Sequence, residues 1–455
     1  MTEAAHAAGA AEAPLPRFVT GSTMRHVAVM TATGAVGLVA IFMVDLLSLV
    51  YISWLGDPRL TAAVGLATVI LFLATSINVG LMIAIGALVS RALGAHDRQR
   101  ARRLGGTTST HMALASMLVA AALLALVPSL LDLLGASPDT RAVAQRFLWI
   151  TLPSNVFLAL GMGLSGVLRA VGDAKRAMYV TLSGAVVTVA LDPLLIFGLE
   201  LGTDGAAIAT VVSRCLFALV GLHGAIKVHD LVAWPRLRDL AADVRPMFAI
   251  AVPAALTNVA TPVAGVFFVS VLAPFGDQAI AGMAIVDRLV PVAFGGLFAL
   301  SGAIGPILGQ NWGARRFERM RQALRDGVLF LAVYVAAVWM LLLLLRWPIA
   351  SLFNAEGTAA DIVTFFCLIS GPTWFFIGLL FLANASFNNL GFPLLSTLFN
   401  WGRATLGTMP FAWLGAQYGG PQGALAGWAL GSFFFGSAAI WTAFRTIRAL
   451  EGRGM

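Results

Sequence analysis

Arg91-Ala-Leu-Gly94-Ala-His-Asp-Arg98 and Gly309-Gln-Asn-Trp-Gly313-Ala-Arg-Arg-Phe-Glu-Arg319 decide the fold when read side by side. Each follows a long apolar run, turns on a glycine and opens into a basic helix start. Gly94 and Gly313 stand 219 residues apart. Working outward, Gly172 in Leu168-Arg-Ala-Val-Gly-Asp and Gly391 in Phe387-Asn-Asn-Leu-Gly-Phe-Pro are again 219 apart. Gly56-Asp57 and Gly276-Asp277 differ by 220, and Gly205 and Gly423 by 218. Four anchors at one offset mark an internal repeat rather than chance recurrence of loop glycines.

The composition says which solvent the repeat meets. The 455 residues are 59% hydrophobic and 11% charged, with a mean hydropathy of +0.89. A soluble domain carries about a quarter charged residues, so this chain lacks the charge to cover a water-facing surface. Apolar runs long enough to span a bilayer, about 20 residues each, follow one another. The alternating strands of about ten residues typical of an outer-membrane barrel are absent. The spacing predicts twelve spans: 25–54, 60–90, 104–134, 141–169, 176–200 and 204–228, then 245–273, 278–308, 323–352, 358–388, 393–417 and 422–446. The implied fold is an all-α polytopic membrane protein with two six-helix halves in the same orientation, a parallel repeat. Its expected divisions are a solvated tail over 1–24, a first lobe over 25–229, a cytoplasmic linker over 230–244, a second lobe over 245–450 and a tail over 451–455.

Charge orients the spans. With the N-terminus inside, 22 of the 29 Lys and Arg fall in cytoplasmic segments, 4 on the other side and 3 inside spans. Both termini are therefore expected in the cytoplasm. The net charge of +8 comes from these loops, so no nucleic-acid partner is expected. Cys215 and Cys367 are too few for a disulfide framework. The six histidines form no metal-spaced cluster. No nucleophile elbow or HExxH motif is present, so an enzyme is not expected, nor is any cofactor. The Ala-rich start lacks the basic then apolar order of a signal peptide.

Acids inside spans cost several kcal/mol, about 2.5–3.5 at a helix centre, and need a role. Asp45, Asp192 and Asp287 qualify. Each lies 10 or 11 residues from a glycine at the outer turn, roughly 15 Å deep at 1.5 Å per residue. Asp45 and Asp192 share the first half. If their helices face one another, two carboxylates share one site that holds a proton or clasps a cation. The offset places Gly265 and Phe411 opposite them, so only one half carries the pair. Thr188, one turn before Asp192, shares its face. Arg214 and Arg403 read as structural or interfacial. Asp287, beside Arg288, reads either as an ion-paired structural group or as a substrate contact.

The chain resembles the MATE family, the multidrug and toxic compound extrusion transporters, and within it the bacterial DinF-like branch. Four stretches carry the resemblance: Met43-Val-Asp45-Leu-Leu with Trp54-Leu-Gly56, Val89-Ser-Arg91-Ala-Leu-Gly94-Ala, Leu168-Arg-Ala-Val-Gly172-Asp followed by Leu191-Asp192-Pro193-Leu-Leu-Ile-Phe-Gly198, and Gly309-Gln-Asn311-Trp-Gly313-Ala. The resemblance implies two lobes around a central cavity and export of amphipathic, often cationic, compounds from the bacterial inner membrane. It adds Asn155 and Thr210 to Asp45, Asp192 and Thr188 as coupling-ion ligands. The expected coupling ion is H+. Na+ at Asp45 and Asp192 is the alternative, disfavoured because Thr188 stands where relatives often have Asn. Met43, Tyr51, Asn258, Phe268 and Asp287 are the expected substrate contacts, with Phe42, Met162, Phe267, Met283 and Trp374 as further cavity-lining candidates. Amphipathic small molecules and membrane lipids are the expected partners of a monomer. A lipid or lipid-linked sugar flippase is the alternative function.

Overall fold

The computed structural model describes residues 16–452. Ten spanning helices are continuous or nearly so: α1 Thr23–Ser53, α2 Pro58–Gly94, α3 Arg98–Leu133, α4 Pro138–Val171, α5 Ala174–Gly198, α6 Gly202–Val228, α7 Leu237–Phe275, α8 Asp277–Gly313, α9 Phe317–Leu352 and α10 Gly357–Leu390. The last stretch, Pro393–Gly452, breaks at Gly419 and Gly420, which gives α11 (393–418) and α12 (421–452) and completes twelve.

Local chemistry sets the ends. Asp57 with Pro58, Asp97, Ser137 with Pro138, and Asp173 cap α2 to α5, each side chain accepting from a first-turn backbone N–H. The repeat glycines recur as geometry. Gly172 and Gly391 end α4 and α10 in the left-handed conformation, with φ of +91° and +93°, which favours glycine.

The halves pack as two lobes, α1–α6 and α7–α12, related by the same repeat. Their closest approach is at the end that carries both termini. A Cβ on Gly94 would lie 2.0 Å from the Gln310 carbonyl oxygen, and one on Gly313 would lie 2.1 Å from that of Arg91. Arg91 Nε donates to Asn389 O at 2.7 Å, and Gln310 Nε2 donates to Ala170 O at 2.7 Å. Positions 91 and 310, and 170 and 389, are both 219 apart, so each half makes the same bond to the other. The seam continues inward through Gly80 against Ala251 and Ala255, Gly34 against Ala299, and Gly295 against Val39. Further from the termini no described glycine makes such a contact across the lobes, and a Cβ on Gly65 or Gly265 would meet nothing within 4 Å. The molecule is a V, shut at the end of the termini and open at the other.

Two expected divisions change. The tail over 1–24 is not all solvated. Arg17–Val19 forms a 3-10 turn with Phe18 and Val19 buried. It is held because Phe18 N–H donates to Gln310, while Asn311 and Arg319 donate to the Phe18 carbonyl. The part of that tail over 1–15 lies outside the described residues, as does 453–455 at the other end. The linker over 230–244 is shorter than expected, because α7 begins at Leu237. Its charged first turns project past the apolar run, and Asp243 is buried where it accepts from Arg103 and Thr107.

Candidate functional site

Asp45 sits on α1 six residues beyond Val39, which meets Gly295 of the other lobe, so roughly 9 Å further along the helix. Its side chain is exposed to the opening and lies within electrostatic reach of Asp192 and Arg214. Asp192 on α5 is 1% exposed. One of its oxygens accepts a hydrogen bond from Ser48, and the other has no partner among the described residues. Ser48 lies one turn from Asp45 on the same face of α1. The structure thus ties α1 to α5 through Ser48 and brings the two acids into one site.

Pro193 ends the α-helical part of α5 and is followed by a π-helical turn, Leu194–Gly198. A proline lacks the donor needed to continue the ladder, and the wider turn absorbs the loss.

Arg214 on α6 is the group that sequence reasoning set aside as structural. Its guanidinium donates to Thr151 O at 2.9 Å and Ser154 Oγ at 3.0 Å, which holds it on α4 while it faces Asp45. The available signal was a charge inside a span in the same half as the acids. Thr188 is buried, and its hydroxyl donates to Gly184 O; the Thr210 hydroxyl donates to Ala206 O. Asn155 belongs to a second polar group. It donates to Ser116 Oγ at 2.8 Å and accepts from Asn78 Nδ2 at 3.0 Å. Ser154 links that group to Arg214.

The second lobe has no equivalent. Asn78, Ser116 and Asn155 map at the repeat offset of 219 onto Leu297, Val335 and Trp374. These three lie in one apolar core, where Trp374 stacks on Phe294 with ring centroids 4.7 Å apart. The polar site is thus built in one lobe only.

The expected substrate contacts divide. Met43 and Asp287 are exposed, and Asp287 makes no ion pair with Arg288 among the described residues. Tyr51 stands near the open end against Trp54 and Phe197. Asn258 donates to Ala254 on its own helix. Phe268 is a correction: it is 4% exposed and packs on Trp428 inside the second lobe, because its position on α7 faces α12 rather than the opening. Met283 and Trp374 are likewise core residues. Among the described residues no group of His, Cys, Asp and Glu has the arrangement of a metal site.

Twelve membrane-spanning helices in two pseudo-symmetric lobes, with a buried carboxylate inside the first that lies close to a second one, define a polytopic membrane transporter. The family model described as MatE matches residues 35–194 and 253–414, and the chain belongs to the MATE family, whose members are transporters rather than enzymes. It is similar to an FAD transporter of Shewanella oneidensis, with 28% identity over 430 residues covering 91% of this chain and 93% of that one. It is also similar to the multidrug export protein MepA of Staphylococcus haemolyticus, with 25% identity over 344 residues covering 74% and 76%. Among solved structures, the Vibrio cholerae MATE transporter VcmN in the bent form superposes with a TM-score of 0.88 at 26% identity, covering 94% of this chain and 97% of that one.

Proposed function

We propose that the protein exports amphipathic, cationic compounds across a bacterial inner membrane by proton-coupled antiport with alternating access, both termini lying in the cytoplasm. The observation that carries this reading is Asp192. A carboxylate 1% exposed, with one oxygen held by Ser48 and the other unpartnered among the described residues, is incomplete until a proton or small cation arrives. Buried charge of this kind is expensive and marks ion pathways. With Asp45 and Asp192 ionised beside Arg214, the site carries one net negative charge, which a single proton neutralises. Neutralisation weakens the hold on a cationic substrate in the open half and lets it leave. The lobes then rock about the seam, the proton departs to the other side, and substrate binds from the cytoplasm.

The test is dye efflux in inverted vesicles after a pH jump or a sodium jump. A pH jump should drive efflux in the wild type and not in Asp45→Asn. Drive by sodium alone would replace the proton, and full transport by the mutant would remove the coupling role.

A second reading is export of an anionic flavin dinucleotide, as named for the Shewanella relative. Arg403 favours it: the residue is 4% exposed in the second lobe, and among the described residues its Nε has no partner and its guanidinium makes one hydrogen bond, to Thr261 at 3.3 Å. FAD efflux that depends on Arg403, without efflux of cationic dye, would select this reading.

A further inference from the structure

Two grooves flank the closed seam, related by the repeat. In the first, Phe18 is buried in one apolar cluster with Val27 and Met30 of α1, Ala174 of α5 and Ile307 of α8. Gly172 cradles this segment so closely that a Cβ there would lie 2.7 Å from Arg17 Cδ and 3.2 Å from Phe18 Cζ.

The second groove is formed by the repeat partners. At the offset of 219, Val27, Met30, Gly172 and Ile307 become Pro246, Ala249, Gly391 and Leu88. These four line a groove of about 590 Å³ that no described residue fills, with Arg91 among its walls. The partner of Phe18 is Leu237, which does not enter. It stands on the first turn of α7, 85% exposed. One half plugs its groove with its own chain, and the other leaves the same groove open.

We propose that this open groove binds an anionic phospholipid of the leaflet nearest the termini, with one acyl chain where Phe18 lies in the other half and its phosphate on Arg91. Three observations favour this occupant. Leu394 in the groove wall is 71% exposed, and Trp234, twelve residues before Pro246 on the chain, is 93% exposed. Exposed apolar and aromatic residues beside Arg236, Arg238 and Arg245 have the character of membrane-interface anchors. The walls are otherwise apolar, which suits an acyl chain. Arg91 donates to Asn389 O and Asn388 O and makes no ion pair among the described residues, so its charge is free for a phosphate. Basic pockets between helices on the cytoplasmic side hold anionic head groups in this manner. The walls come from α2 of one lobe and from α7, α11 and the α10–α11 turn of the other, so a seated lipid bridges the seam and favours the closed end.

Native mass spectrometry of the full chain in mild detergent tests this, with added phosphatidylglycerol, phosphatidylcholine or inorganic phosphate. The expected result is one tightly retained phosphatidylglycerol, held at least about fivefold better than phosphatidylcholine and not displaced by inorganic phosphate. Ala249→Trp, which fills the groove, should lower that retention about tenfold. Equal retention of the two lipids, displacement by phosphate, or retention unaffected by Ala249→Trp would overturn the proposal. Should that variant fail to fold, the wild type decides: a photoactivatable phosphatidylglycerol should crosslink within 246–250 or 391–395, and crosslinks confined to other segments would refute the site.

Discussion

Gly94→Ala should open the closed end of the V. The methyl group would lie 2.0 Å from the Gln310 carbonyl oxygen, 2.6 Å from its carbonyl carbon and 2.6 Å from its Cα, whereas ordinary contacts begin at 3.4 Å. All three neighbours are backbone atoms of the opposite lobe, so no rotamer change relieves the clash. The cheapest relief is separation of the lobes by over an ångström, which also stretches the Arg91 and Gln310 bonds. Overpacking a tight contact costs about 1–3 kcal/mol, and that range corresponds to roughly a 5- to 150-fold shift between two states. Gly313→Ala meets Arg91 O at 2.1 Å and should act alike. Gly65→Ala is the control, since nothing lies within 4 Å of it. Spin labels at the ends of α2 and α8 would report the separation as distance distributions. Both seam variants should lengthen the main distance or add a longer population, with Gly65→Ala unchanged. Unaltered distributions for Gly94→Ala would refute the seam as the element that holds this state shut.

Three further outcomes follow from the packing. Asn155→Leu should lower stability by about 1–3 kcal/mol, because it strands Asn78 and Ser116; adding Asn78→Leu and Ser116→Val, which copies the apolar lobe, should restore most of the loss in thermal melts. Phe18→Ala should free the docked segment and raise tryptic cleavage at Arg17 by roughly tenfold, since protection there depends on local closure. Burial pushes the Asp173 carboxyl up, but hydrogen bonds from Arg176 and His229 outweigh it and hold the group below its ordinary 3.8. Its stabilising contribution is therefore complete above about pH 4 and lost as pH falls through the depressed value. Asp173→Asn should thus reduce the melting temperature at pH 7, by an amount that shrinks as pH falls below about 4.

Much of this architecture is legible in the chain because the bilayer writes it in composition. Long apolar runs and the Lys and Arg bias give the spans, and the glycine offset gives the two lobes. Of these glycines, Gly94 and Gly313 are where the halves touch, whereas Gly172 and Gly391 end helices at positive φ. Asp45 and Asp192 stood out because charge in hydrocarbon is rare. Their partners did not: Ser48 is an ordinary residue in a span until α5 packs beside it, and Arg214 gains meaning only when α6 turns it toward Asp45. The bonds of Asn155 go to Asn78 and Ser116, on helices far away in sequence, and spacing alone does not show them. Phe268 was misplaced because an aromatic on a lipid-facing, cavity-facing or core-facing side of α7 looks the same in one dimension. The docked Phe18 was hidden in a stretch whose composition reads as tail, since its burial depends on a groove built by α1, α5 and α8.

Asp45 and Asp192 are proposed to bind the coupling proton together. The most direct measurement is proton release on substrate addition, followed with a pH indicator in weakly buffered, purified transporter. About one proton per molecule should be released by the wild type and none by Asp45→Asn or Asp192→Asn, with substrate binding still detectable. Release that persists in both variants would contradict the account.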